Sequence, residues 1–136
     1  MEKLAIHLAL HGVAVLTVSV FGGLLLHKAI LKNKNEAGWH LLHAGGSARG
    51  ILLIALAAII HLLALPFWQL SILVWLMIFF TWTSMLAMMI VAISGERGFG
   101  WIGSKTNKLI YVLYILGAIA VFPACFLLIF GLFNAL

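Results

Sequence analysis

The chain has 136 residues, of which 65% are hydrophobic and only 8% charged, and its mean hydropathy is +1.24. Soluble domains carry roughly a quarter charged residues, so composition excludes a soluble enzyme and defines an integral membrane protein. The net charge of +5 arises from eight Lys and Arg against three acidic residues; a basic strip beside anionic headgroups accounts for it without a nucleic-acid partner.

A helical span needs about 20 mostly apolar residues. Four such stretches follow one another at about 5–30, 47–66, 69–93 and 109–134. They use nearly the whole chain, which therefore reads as one all-α, four-span transmembrane domain over residues 1–136. None alternates apolar and polar residues as a membrane barrel strand does. The first stretch is longer than the apolar core of a signal peptide and lacks a small-x-small cleavage site, so it is expected to stay in the mature protein. Within it, Gly22 and Gly23 mark a place where a kink is tolerated. Pro66 is expected to end the second span, and Pro123 to kink the fourth near its middle. The single cysteine, Cys125, allows no internal disulfide and belongs to no Cys-x-x-Cys-His attachment motif, so it reads as core packing.

Lysines and arginines set the expected topology. Lys28, Lys32, Lys34 and Arg49 flank the first connection, Arg97, Lys105 and Lys108 flank the third, and only Lys3 lies on the opposite side. This bias places both long connections in the cytoplasm and both termini outside it, the arrangement expected in a bacterial inner membrane.

Six histidines sit near span ends rather than in polar loops. Ionisable side chains at membrane depth are costly and mark functional sites by default, and here they point to an embedded metal or haem. His7, His11 and His61 fall towards the outer side; His27, His40 and His43 fall towards the cytoplasmic side. One reading is two bis-histidine haems, making a transmembrane electron carrier. His43 and His61 are eighteen residues apart, about five turns of a continuous helix, and would share a face. His11 and His27 are rotated by about 160°, so that reading needs a kink in the first span. His7 and His11 also have the i, i+4 spacing of a zinc pair, with His61 as a third ligand. The alternative for them is ordinary interfacial hydrogen bonding.

The stretch around His43 carries more. Gly46 and Gly50, with Ala44 and Ser47 nearby, form a strip with almost no side-chain bulk beside the imidazole. Such a strip lets a helix backbone approach and equally admits a flat macrocycle. Arg49 and the nearby lysines are placed to neutralise haem propionates, although basic residues near a membrane face are expected anyway. In the third span, Phe79, Phe80, Trp82, Met85, Met88 and Met89 either line a pocket for an aromatic ligand or simply pack. A methionine as sixth iron ligand would suit electron transfer and block Lewis-acid chemistry.

His11-Gly12, Phe21-Gly22, Gly38-Trp39 with His43 four residues after the Trp, Ala44-Gly45, Trp82 and Arg97-Gly98 together resemble the styrene oxide isomerases. The size, the four spans and the run Leu127-Leu128-Ile129-Phe130-Gly131-Leu132 are equally similar to hydroxylaminobenzene mutase, a related small membrane enzyme. The resemblance implies a homotrimer with haem b at the subunit interfaces, bound non-covalently through His43 as axial ligand. Trp39, Gly46, Arg49, Gly50 and Arg97 are the other residues assigned to the cofactor. It further implies a ferric iron that acts as a Lewis acid on the oxygen of a small apolar aromatic epoxide or arylhydroxylamine.

The chain departs from that pattern at three positions. The family's asparagine six residues after the haem histidine is Arg49, and its aspartate and tyrosine in the third span fall on Phe80 and Met88. Oxygen-orienting donors must then come from Thr81, Thr83 or Ser84 in the third span, or Tyr111 or Tyr114 in the fourth. The reading from a different class is a haem-based electron carrier or gas-responsive protein without substrate chemistry.

Overall fold

The computed structural model describes all 136 residues as four long helices: α1 (Glu2–Leu31), α2 (Glu36–Ile59), α3 (Phe67–Ser94) and α4 (Lys105–Phe133), with a short 3-10 turn at Ile60–Leu62 after α2. There are no strands, and each helix, α2 taken with its 3-10 turn, is long and apolar enough to cross a membrane. In a bilayer core every backbone N–H and C=O must be satisfied within its own segment, which is what an uninterrupted helix achieves.

Several boundaries differ from the sequence reading. α2 starts at Glu36 rather than near residue 47, so His40 and His43 lie inside the helix. The histidines, glycines and arginine of this stretch lower its hydropathy without disfavouring its helical backbone. At the other end α2 gives way to the 3-10 turn at Ile60–Leu62, which breaks the continuous helix that would have aligned His61 with His43. Pro66 does not end α2; it is the N-cap of α3, with extended backbone at φ −63° and ψ 153°. Its fixed φ and missing N–H suit a helix start. Pro123 lies inside α4, which continues through it. α1 likewise runs unbroken across Gly22 and Gly23.

The ends are tied by polar side chains. Gly95 closes α3 in the left-handed region at φ 77°, its N–H donating to the Val91 carbonyl at 2.9 Å. Asn35, between α1 and α2, donates from Nδ2 to the carbonyls of Val91 at 3.0 Å and Ala92 at 2.8 Å. It thereby supplies a donor to the last-turn carbonyl of Ala92 and a second one to that of Val91. Ser104 caps α4, accepting from the Asn107 N–H at 3.0 Å, and Asn107 in turn accepts from the Gly98 N–H at 2.8 Å. These bonds hold both basic connections at one end of the bundle.

α3 is the central helix, with half of its most apolar window buried against 17% for α4. α1 packs mainly on α2, α2 on α3, and α4 on α3, so α2 and α4 flank a groove floored by α3. Small residues set the α1–α2 approach: a Cβ on Gly12 would fall 2.9 Å from the Gly50 carbonyl oxygen, and the reverse holds for Gly50. The largest core cluster, around Leu8, Leu53, Leu70 and Leu73, fills the end opposite the connections. Phe122, Phe126, Ile129 and Phe133 on α4 remain exposed, an apolar face for lipid or another subunit.

Candidate functional site

His43 lies at the edge of the α1–α2 seam. Its Nδ1 is 2.9 Å from the Ser19 carbonyl oxygen. A carbonyl only accepts, so Nδ1 carries the proton of the neutral ring and the lone pair falls on Nε2. Fixing a ligand histidine through its other nitrogen is the usual way to orient it towards a metal. The same serine closes the arrangement from its side chain: Ser19 Oγ donates to the His43 carbonyl. Since its one proton is then used, the 2.8 Å contact with Ser47 Oγ makes Ser47 the donor. Ser19 is fully buried, so this small network is shielded from competing water.

Gly23 makes room for the ring. A Cβ there would sit 2.9 Å from His43 Nδ1 and 3.0 Å from Cε1, and Gly22 gives the same clearance to Leu42. These glycines serve helix approach, not a kink. His27 follows Gly23 by one turn of α1, and His40 precedes His43 by about one turn of α2. Both are exposed. His43 itself is half-buried.

The other glycines near His43 are packed against protein. A Cβ on Gly46 would meet Met85 Sδ at 2.9 Å and Ser19 Cβ at 3.1 Å, and one on Gly50 would meet Leu16 Cγ at 2.6 Å. Gly46 and Gly50 thus bring α2 against α1 and α3. Trp39 packs beside the cluster of Leu42, Met85 and Met88.

Arg49 faces the α3–α4 side of α2. Its Nη1 donates to the Gly45 carbonyl at 3.0 Å and lies 3.8 Å from Met88 Sδ, while its Cζ stands 5.4 Å from the centre of the Phe80 ring. Arg49 therefore touches both of the other positions that depart from the pattern the resemblance implies. Tyr114 packs against the cluster that contains Met88. It also lines a cavity of ≈ 910 Å³ that opens at the connection end, together with His40, Leu41, Val91, Arg97 and Phe99.

The remaining hydroxyl candidates are spread more widely. Thr83 donates to the carbonyls of Phe79 at 2.9 Å and Phe80 at 3.1 Å, and Thr83 and Ser84 both abut Gly117 of α4. Thr81 is fully buried, with no partner for its hydroxyl. Tyr111 is half-buried one turn before Tyr114. Of these, Tyr114 is the one that reaches both the cavity and the surroundings of Arg49.

The outer histidines are engaged elsewhere. Trp82 Nε1 donates to His11 Nδ1 at 3.0 Å, and the His7 ring lies 5.4 Å from Trp75 and 6.4 Å from His11. Trp75 and Trp82 are seven residues apart on one face of α3, so this pair of histidines clasps α1 to α3. No group of three His, Cys, Asp or Glu is placed to hold a metal ion, which removes the zinc reading for His7, His11 and His61.

The fold and this site define a small polytopic helical membrane protein with a half-buried histidine fixed by a backbone carbonyl. Its sequence matches the family model of styrene oxide isomerase over residues 4–133. The chain belongs to the styrene oxide isomerase family. Among curated proteins, nothing matches it.

Proposed function

We propose that this protein is a haem b-dependent membrane isomerase that rearranges a small apolar aromatic substrate carrying an epoxide or hydroxylamine oxygen. The observation that carries the reading is the Nδ1 contact of His43 with the Ser19 carbonyl at 2.9 Å. It leaves the lone pair on Nε2 of a half-buried ring. That donor chemistry fits a porphyrin iron, and family membership supports an isomerase.

His43 would hold the iron, with its ring oriented by Ser19 O and pressed in place by the closeness of Gly23. Trp39 and Arg97, at the same end of the bundle, are the further residues assigned to the cofactor. A ferric haem bound there supplies a Lewis acid for the substrate oxygen. The chain's own part is to exclude water and to orient that oxygen. The apolar faces of α3 and α4 do the first. Tyr114, which lines the cavity, is the hydroxyl best placed for the second.

His43 is only half-buried in one copy, and a porphyrin held there needs cover that a second copy supplies. A homotrimer with haem between subunits meets that need, and the exposed phenylalanine face of α4 offers apolar surface for such contacts. The clustering of basic residues at the connection end supports a bacterial inner-membrane protein with both termini on the non-cytoplasmic side.

The test is the optical spectrum and haem content of the protein purified in native-like lipid. A ferric haem with one histidine ligand, lost in His43→Ala and kept in His7→Ala and His61→Ala, is the expected result. Full haem retention in His43→Ala would overturn the assignment. A sharp bis-histidine low-spin spectrum would favour an electron carrier instead.

A further inference from the structure

The cavity of ≈ 910 Å³ at the connection end gathers polar groups that the rest of the bundle lacks. Leu26, Ile30, Leu41, Val91 and Phe99 supply its apolar walls, and Asn35, Glu36, His40, Arg97 and Tyr114 line it as well. Glu36 is one of only three acidic residues in the chain. It stands in the first turn of α2, and His40, four residues on, shares its face of the helix. Arg97 enters from the α3–α4 connection and offsets the Glu36 charge, so the cavity as a whole suits an uncharged ligand. A metal ion is not accommodated, because no third ligand joins Glu36 and His40.

The acceptors select among uncharged ligands. Asn35 Nδ2 donates to the Val91 carbonyl at 3.0 Å and to the Ala92 carbonyl at 2.8 Å. An amide nitrogen has two protons, so both are spent and Oδ1 is left to accept. The Glu36 carboxylate, next in sequence, only accepts. A ligand without N–H or O–H groups would displace water from these oxygens without replacing its hydrogen bonds, which is unfavourable for each oxygen so covered. A head that donates meets them, and the Tyr114 hydroxyl and Arg97 supply donors for the lone pairs of the same head.

We propose that this cavity binds a neutral aromatic molecule whose head carries N–H and O–H donors, the arylhydroxylamine class and not the aryl epoxide. The inference rests on the isomerase reading for its chemistry and narrows the substrate of that reading; the binding preference itself involves no iron. An arylhydroxylamine has one N–H and one O–H, enough for Glu36 and Asn35 Oδ1 together, and its ring lies against the apolar walls. An epoxide oxygen only accepts, so it can take the Tyr114 hydroxyl but leaves the carboxylate unmatched. His40, in the same lining, lies about one turn of α2 before His43, which sets the head at the end of the bundle where the cofactor would be held.

The test compares N-phenylhydroxylamine with its N,O-dimethyl derivative. Both have the ring and both heteroatoms, and only the first donates. Binding to the lipid-reconstituted protein is measured by equilibrium dialysis, with protein-free vesicles of the same lipid as the reference for partition. Wild type and His43→Ala are compared, so that binding is read with and without the residue that would hold the iron. In both, the donor probe should bind about tenfold or more tightly than the dimethyl probe, the size expected for a hydrogen bond to a charged acceptor. Glu36→Gln, which keeps an acceptor oxygen but not the charge, should lower the preference, and Glu36→Leu should lower it further. Glu36 is exposed, so both variants should melt close to the wild type. A penalty for the added methyl groups alone would persist in Glu36→Leu. Equal binding of the two probes, or a preference unchanged in Glu36→Leu, overturns the proposal. If the His43 haem test fails while the preference holds, the iron chemistry is refuted and the binding site stands; if the preference is absent while haem binds as expected, the isomerase reading stands and this substrate class is refuted.

Discussion

Gly23 of α1 and His43 of α2 are in contact across the helix seam, so close that a Cβ on the glycine would fall 2.9 Å from the histidine Nδ1. The backbone carbonyl that receives that Nδ1 proton lies one turn earlier in α1, at Ser19. Position 23 therefore controls whether the ring can keep its tautomer and direction.

Replacing Gly23 by alanine should displace the imidazole more than it unfolds the bundle. Overpacking a tight contact costs about 1–3 kcal/mol, and here the strain falls on the ring that would hold the cofactor. The expected outcome is a haem-to-protein ratio well below that of the wild type with a modest drop in melting temperature. Wild-type haem content in Gly23→Ala would mean that the ring is not held as described.

Ser19→Ala gives the opposite balance. The variant loses the hydroxyl bonds to the His43 carbonyl and to Ser47, but keeps the backbone carbonyl that orients Nδ1. Interhelical hydrogen bonds in membranes are worth about 0.6–2 kcal/mol each. Stability should fall by about that amount, measured by denaturation in detergent, while haem stays bound. Loss of haem equal to that of His43→Ala would assign the hydroxyl a role the geometry does not give it.

How much of this was legible beforehand depends on the range of the interaction. The four spans follow from hydropathy. The start of α2 at Glu36 does not, because apolar content falls where histidine and glycine cluster even though the backbone stays helical. Ser19 as the partner of His43 was out of reach: the bond is to a main-chain carbonyl 24 residues away, and every residue type has one. Gly22 and Gly23 were visible as small residues, yet only the packed helices show that they clear α2 and do not bend α1. Arg49 was visible as a departure from the family pattern, but its contact with both other departures is a tertiary fact.

The outer histidines supply a control. Trp82→Phe removes the donor to His11 Nδ1 while keeping the aromatic ring. The pair is partly exposed, so the cost should be at most about 1 kcal/mol, and haem content should not change. A fall in haem content would tie the His7–His11 clasp to the cofactor and revive the two-haem reading.

The last prediction concerns styrene oxide itself. The resemblance implies asparagine, aspartate and tyrosine at the positions of Arg49, Phe80 and Met88, and Arg49 touches both of the others, with Nη1 3.8 Å from Met88 Sδ and Cζ 5.4 Å from the Phe80 ring centre. Positioned donors contribute several kcal/mol to orienting a reacting oxygen, so the wild-type protein should turn over the epoxide weakly or not at all even when fully loaded with haem. Residues in mutual contact do not act additively. Arg49→Asn alone would leave Phe80 without its cation and Met88 beside a shorter side chain, and should gain nothing. The triple variant Arg49→Asn, Phe80→Asp, Met88→Tyr changes the whole contact set, and product analysis of epoxide and arylhydroxylamine incubations should show gain only there. Efficient epoxide turnover by the wild type would show that Tyr114 or another hydroxyl already supplies the missing donors.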